Sequence, residues 1–189
     1  MMAGGRFRLA RRAFAAAALG TVLVVAASVQ ADPPSEHQVK AAFLYNFANF
    51  VQWPEAALAP AGSSLRVCVV GTDPFGGALD EAFRDQVVQG RRVQIARGRS
   101  LAALGRCHIL FLSQSEERRW PELLKELCSA PTLTVADGAP LVRQGGMISF
   151  VMDAKRVRVE INRGAAEHAG LRISSKLLAL ARIVESASP

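Results

Sequence analysis

The stretch LRVCVV (Leu65–Val70), followed at once by GTDP (Gly71–Pro74), decides the fold. A valine-rich run that ends at a glycine is typical of a buried strand. Asp73 followed by Pro74 predicts the capped start of a helix, which we expect to run to about residue 85. The sequence therefore contains a strand, a tight turn and a helix in immediate succession.

Strand-like and helix-like segments alternate along the rest of the chain. Further strands are predicted at 93–96, 108–112 and 132–135, and further helices at 100–104 and 116–128. Gly145 and Gly146 turn the chain into two runs that form a predicted hairpin, 147–152 and 156–162, and a last helix is predicted from Ser174 or Ser175 to about residue 185. This order predicts an α/β fold: a single layered domain with a mostly parallel sheet, a C-terminal β-hairpin and helices on both faces.

The helix predicted at 36–51 is apolar on nearly all sides. Ser35 can cap its start, and Trp53-Pro54 ends it because proline disfavours helical geometry in the preceding residue. A helix with so little polar surface is either a central core helix or is covered by another chain. Under the second interpretation, the partner-binding residues are Phe43, Tyr45, Phe47 and Trp53.

A second candidate surface lies in the last predicted strand of the hairpin. Arg158, Glu160 and Asn162 alternate there with valine and isoleucine, so the three polar side chains share one face of the strand. This face is either an ordinary solvated sheet face or a recognition surface with Glu160 as its charged centre. On the second interpretation, Glu160→Lys lowers partner binding and leaves the fold intact.

The first 31 residues have the pattern of a secretory signal peptide. A start containing four arginines precedes an apolar run at 13–25, and the short side chains of Val29 and Ala31 suit cleavage after Ala31. A retained membrane anchor is the alternative. We therefore expect a signal peptide at 1–31, a folded domain at 32–189 and a periplasmic location.

Charge and cysteine content agree with export. Four of the 23 basic residues and none of the 16 acidic ones lie in the first 31 positions, so the rest of the chain carries only +3 and requires no nucleic acid partner. Of the three possible pairings among Cys68, Cys107 and Cys128, we favour Cys68–Cys107, because each lies in or just before a predicted strand and neighbouring strands bring such positions together. Cys128 is then a free buried thiol, with a bridge between two chains as the alternative.

The sequence contains no constellation typical of catalysis. The three histidines are far apart, and the glycines at 71–77 are followed by Ala78, where a P-loop needs serine or threonine, and lack its lysine. We therefore predict a non-enzymatic protein with no catalytic residue, no cofactor and no metal site. A small-molecule crevice at 71–77, where a strand ends, is the alternative.

Several motifs together resemble one family across the region after residue 31. They are VKAAFLYNF at 39–47 with VQWP at 51–54, GTDPFG at 71–76, CHIL at 107–110, GGMI at 145–148, VEIN at 159–162 and SSKLL at 174–178. In this order they are similar to the YfiR family of exported periplasmic proteins.

The resemblance implies a function. It implies a small homodimeric α/β regulator that binds and represses the periplasmic domain of an inner-membrane diguanylate cyclase, and so controls cyclic di-GMP and biofilm formation. The alternative is a small-molecule sensor domain that partners a membrane sensor kinase. The family's disulfide falls on Cys68 and Cys107, whereas a second cysteine pair near Gly145 has no counterpart here.

Overall fold

The computed structural model describes residues 33–59, 62–127 and 130–185. The chain divides into two units, Met1–Pro33 and Pro34–Pro189, and the helices and strands belong to the second. The expected signal peptide with its cleavage site after Ala31, and the expected free thiol of Cys128, lie outside the described residues.

The described residues form seven α-helices, ten strands and two short 3₁₀ helices at Glu55–Leu58 and Gln114–Arg119. The α-helices are α1 (Glu36–Phe50), α2 (Gly77–Phe83), α3 (Leu101–Leu104), α4 (Trp120–Glu126), α5 (Pro140–Arg143), α6 (Arg163–His168) and α7 (Ser175–Leu178). The strands are β1 (Val51–Gln52), β2 (Leu65–Val70), β3 (Val87–Val88), β4 (Arg91–Gly98), β5 (Ile109–Leu112), β6 (Leu133–Asp137), β7 (Ile148–Asp153), β8 (Arg156–Ile161), β9 (Arg172–Ile173) and β10 (Arg182–Ile183).

Eight of these strands form one sheet in the order β10-β8-β7-β6-β5-β2-β4-β3. The five strands from β7 to β4 in that order are parallel to one another. β7 and β8 form an antiparallel hairpin, β10 joins β8 in parallel, and β3 joins β4 antiparallel. A separate two-stranded sheet pairs β1 with β9. The predicted α/β fold with a mostly parallel sheet and a C-terminal hairpin is confirmed.

Apolar side chains are buried on both faces of the sheet. In β2, Val67 and Val69 belong to one core cluster, which includes α1, whereas Cys68 and Val70 belong to a second cluster together with Trp120 of α4. Successive strand residues point to opposite faces. Helices cover the sheet on both sides, as predicted. The apolar run of β2 is therefore buried on both faces.

Local signals place α1 where the sequence predicts it. The Ser35 hydroxyl accepts a hydrogen bond from the amide of Gln38, and the Gln38 side chain accepts one from the amide of Ser35, which together form a capping box. The helix ends at Phe50 and the chain then extends into β1. The predicted helix at 36–51 is thus confirmed to within one residue.

Two of the predicted helices begin later than expected. Asp73 does not cap α2: its carboxylate accepts a hydrogen bond from the amide of Phe75 and forms a turn, and α2 begins only at Gly77. Similarly, residues 114–119 form a 3₁₀ helix, and α4 begins at Trp120, with Pro121 in its first turn. In both places a hydrogen-bonding turn precedes the helix.

The predicted long helix at the C-terminus is wrong. α7 covers only Ser175–Leu178, and the chain then extends into β10, where Arg182 and Ile183 pair with Glu160 and Ile161 of β8. Val184 also donates its amide hydrogen to the carbonyl of Ile161. The unpaired edge of β8 offers backbone partners that a helix through this segment would leave unused.

Candidate functional site

The predicted disulfide joins Cys68 of β2 to Cys107, which immediately precedes β5. The two Cα atoms are 6.0 Å apart, and both residues are buried in the cluster that includes α4. β2 and β5 are direct neighbours in the sheet, so the bond closes a loop between two paired strands. The preferred pairing of the cysteines is confirmed.

His108 follows the disulfide and is held in one neutral form. Its Nδ1 accepts a hydrogen bond from the amide of Arg66 at 2.9 Å, so Nε2 carries the proton and donates to the carbonyl of Ala57 at 3.1 Å. Burial lowers the pKa of His108, and nearby arginines act in the same direction. His108 is therefore a structural bridge, as expected for a histidine at the start of a buried strand.

The structure separates the four predicted partner-binding residues of the N-terminal segment into two groups. Phe43 and Tyr45 are partly exposed, whereas Phe47 is fully buried and stacks on Phe150, and Trp53 is buried with its indole N–H directed to the carbonyl of His108. Phe47 and Trp53 therefore cannot contact a partner without unfolding the core. Their inclusion among the surface residues is corrected, because the sequence shows the faces of the helix but not which face the sheet covers.

The polar face of β8 is not a solvated sheet face. Arg158 is exposed, but Glu160 is 2% exposed and pairs with Arg182 of β10, which covers it. Asn162 is also buried: its side chain caps α6 by accepting from the amide of Ala165 and donates to the carbonyl of Val142. The interpretation of an open face is therefore wrong at Glu160 and Asn162, because a strand and a helix that the sequence did not predict cover them.

An exposed surface remains where β7, β8 and β10 approach the end of α7. Met152 is 52% exposed and Leu180 is 73% exposed, and both line a shallow depression of about 610 Å³ together with Arg158 and Arg182. We call these four residues the edge patch. Methionine and arginine are enriched at protein interfaces, and the exposed leucine beside them adds apolar area. The edge patch is therefore a candidate surface for contact with another protein.

A second group of charged residues lies beside the carboxyl end of β6. Lys40 of α1 is 5% exposed, and its Nζ lies 2.7 Å from a carboxylate oxygen of Asp137 and 2.5 Å from one of Glu36. Burial alone would lower the pKa of Lys40, but the hydrogen bonds that its ammonium donates to Asp137 and Glu36 outweigh burial, and the pKa is raised above 10.5. The hydrogen bond from Lys40 lowers the pKa of Glu36 below 4.5, against the effect of burial.

Lys40→Met is expected to lower the free energy of unfolding by about 2 kcal/mol at pH 7, because two carboxylates lose their cation. The lowered pKa of Glu36 means that its stabilisation is present above pH 4.5 and is lost as the pH falls through the folded-state pKa. The raised pKa of Lys40 means that its stabilisation is present below pH 10.5 and is lost above it. Urea unfolding of the parent protein and of Lys40→Met should show a difference at pH 7 that narrows at acid pH, as the pH falls through the folded-state pKa of Glu36.

Arg84→Met is the matched control for this prediction. Arg84 also pairs with a carboxylate, Glu81, but both side chains are more than 60% exposed. Exposed pairs contribute little, so we expect a change below about 0.5 kcal/mol at either pH. Equal losses of unfolding free energy in Lys40→Met and Arg84→Met would show that the burial of Lys40 does not strengthen its ion pairs.

At 71–77, where a small-molecule crevice is the alternative, hydrogen bonds and ion pairs hold the loop in one conformation. Gly71 has φ of +92°, and a Cβ there would lie 2.5 Å from Oγ of Ser115, so only glycine fits. The amide of Thr72 donates to that same hydroxyl, and Arg97 pairs with Asp73 and Asp80 across the loop. The aspartates thus hold the turn in place. Among the described residues, no group of three or more His, Cys, Asp or Glu side chains is placed to hold a metal ion.

The fold and the sites define a disulfide-bonded, layered α/β domain of a kind that fits an exported protein. Within the described part of the chain, no helix is both long and apolar enough to cross a membrane. The chain belongs to the YfiR/HmsC-like family, which matches residues 37–182. Membership confirms the family resemblance and places the protein among periplasmic regulators of diguanylate cyclase signalling.

Proposed function

We propose that this protein binds the periplasmic domain of an inner-membrane diguanylate cyclase and represses it without catalysing a reaction. Family membership supports the signalling pathway in general. The edge patch supports direct binding, because Leu180 and Met152 expose large apolar surfaces that the fold itself does not use.

The edge patch also suits a specific partner. Arg158 and Arg182 are 58% and 70% exposed and flank the apolar side chains; Arg158 lies 3.7 Å from the exposed carboxylate of Asp153, and Arg182 pairs with the buried Glu160. A partner with an apolar centre and acidic residues around it would be complementary to this arrangement. Glu160 then acts from beneath the surface, since its carboxylate holds Arg182 in place. Phe43 and Tyr45, which are partly exposed, remain predicted contacts of a second surface.

Repression would follow from preferential binding to one state of the cyclase. A ligand that moves a two-state protein from almost wholly active to almost wholly inactive must bind the inactive state about 5.5 kcal/mol more tightly. A few well-packed apolar and arginine residues at the centre of an interface can contribute this much. The edge patch contains both kinds of side chain, so no chemical step is required for regulation.

Two measurements test this proposal. Deleting the gene should raise cyclic di-GMP in cells, and the protein should co-purify with a diguanylate cyclase from inner membranes. Unchanged cyclic di-GMP after deletion, together with co-purification of a sensor kinase instead, would favour the alternative function.

We also propose that the protein forms the homodimer that the family resemblance implies. Light scattering, which measures the molar mass of the purified protein, tests this proposal.

A further inference from the structure

An apolar pocket lies at the amino-terminal ends of β5 and β6, at the end of the sheet opposite Lys40. Its volume is about 490 Å³, which is within the range of small-molecule sites. The 3₁₀ helix at Glu55–Leu58, α3, Leu127 and residues 130–132 contribute to its wall. The side chains that line it are mainly aliphatic, including those of Pro54, Leu101, Leu110, Leu127 and Pro131.

The polar groups around this pocket bind one another. Both ring nitrogens of His108 are engaged, with the amide of Arg66 and the carbonyl of Ala57. The hydroxyl of Thr132 donates to the carbonyl of Cys107 at 2.8 Å, and the indole of Trp53 donates to the carbonyl of His108. An apolar molecule that displaces water from this pocket therefore breaks none of these hydrogen bonds.

The charge beside the pocket is positive. Arg106 lines the pocket and is exposed. Gly105 also lines the pocket, and a guanidinium nitrogen of Arg66 lies 3.9 Å from the position that a Cβ on Gly105 would occupy. Within the described residues, neither arginine has a carboxylate within 4.0 Å. The pocket thus combines an aliphatic interior with two cations that have no carboxylate within 4.0 Å among the residues that the structure describes.

We propose that this pocket binds a small amphiphilic anion, with an unbranched alkyl chain inside the pocket and an anionic head group at Arg106. The aliphatic lining favours an alkyl chain over an aromatic ring, and an arginine guanidinium is well suited to bind a carboxylate or a phosphate. This inference does not depend on the proposed repression of a cyclase, since the pocket and the edge patch share no residue.

Isothermal titration calorimetry of the protein in the form that cells produce tests the proposal. The probe is sodium decanoate, used below its critical micelle concentration. We expect one molecule to bind per chain, and Arg106→Gln to weaken binding about 10-fold through loss of a charge-assisted hydrogen bond. Arg156→Gln, at an exposed arginine of the hairpin, is the matched control and should leave binding unchanged. Uncharged 1-decanol should bind the parent protein and Arg106→Gln equally.

Further titrations identify the head group of the ligand and show whether its alkyl chain lies in the pocket. Tighter binding of monodecyl phosphate than of decanoate would indicate a lipid phosphate, and the reverse a free fatty acid. Ala56→Trp should abolish binding, because Ala56 lines the pocket and is exposed, so a larger side chain can fill the pocket without disturbing the core. Decanoate binding that survives both Ala56→Trp and Arg106→Gln, or that never saturates, would overturn the proposal.

Discussion

Replacing both Cys68 and Cys107 by alanine is expected to lower the free energy of unfolding by about 4 kcal/mol. The disulfide spans a sequence separation of 39 residues, so its loss returns considerable conformational freedom to the unfolded chain. Total stabilities of small domains are only about 5–15 kcal/mol, which makes this a large fraction of what holds the domain together.

Urea unfolding, followed by circular dichroism, measures this effect. The parent protein in dithiothreitol should unfold at nearly the same urea concentration as the double variant, and the variant itself should be insensitive to dithiothreitol. Cys128→Ala is the control, since the bond in the structure does not use that cysteine. If reduction leaves the unfolding midpoint of the parent protein unchanged, the disulfide contributes nothing to stability.

The central part of the fold could be predicted because its local signals are independent of distant residues. The valine-rich run of β2 and the capping box at Ser35 and Gln38 each determine an element within a few positions. The pairing of Cys68 with Cys107 could be predicted for the related reason that β2 and β5 are neighbours in a parallel sheet. In these places local preference and tertiary structure agree.

The C-terminal region could not be predicted in the same way, because distant partners decide its structure. Residues 177–184 have helical spacing of apolar side chains, yet backbone pairing with β8 draws Arg182 and Ile183 into a strand. That same strand covers Glu160. Alternation along β8 identified the face correctly but could not show that another part of the chain would bury it.

The candidate sites show the same limit. The helical period places Phe43 and Phe47 on one side of α1, but only the position of the sheet makes one partly exposed and the other a core residue. Likewise, nothing near Lys40 in the sequence points to Asp137, which the end of β6 brings within 2.7 Å. The sequence predicts a helix at Leu180, so the exposure of this side chain at the edge patch is evident only in the structure.

The burial of Glu160 changes how the partner-binding surface should be tested. Glu160→Lys would place a second cation against Arg182 in a site that is 2% exposed, so it would disturb the fold as well as the surface. Leu180→Asp is the better substitution. Leu180 is 73% exposed, and exchanging it for a charged residue costs the isolated domain almost nothing.

Leu180→Asp is expected to weaken binding to the cyclase at least 30-fold and to raise cyclic di-GMP towards the level of the deletion strain. The reason is that an interface which covers Leu180 would have to bury an unpaired carboxylate in an apolar contact, and loss of a central interface residue commonly costs about 2 kcal/mol or more. Cyclic di-GMP in cells and co-purification from inner membranes measure the two effects, while an unchanged urea midpoint shows that the domain is still folded.

Val87→Asp provides the matched control. Val87 is an apolar residue that is 60% exposed, and it lies in β3, at the other end of the eight-stranded sheet from β10. If the edge patch is the binding surface, Val87→Asp leaves cyclic di-GMP at the parental level, because the substitution adds the same charge far from the contact. Equal derepression by both variants would mean that added surface charge matters and its position does not, and normal repression by Leu180→Asp would remove the edge patch from the binding surface.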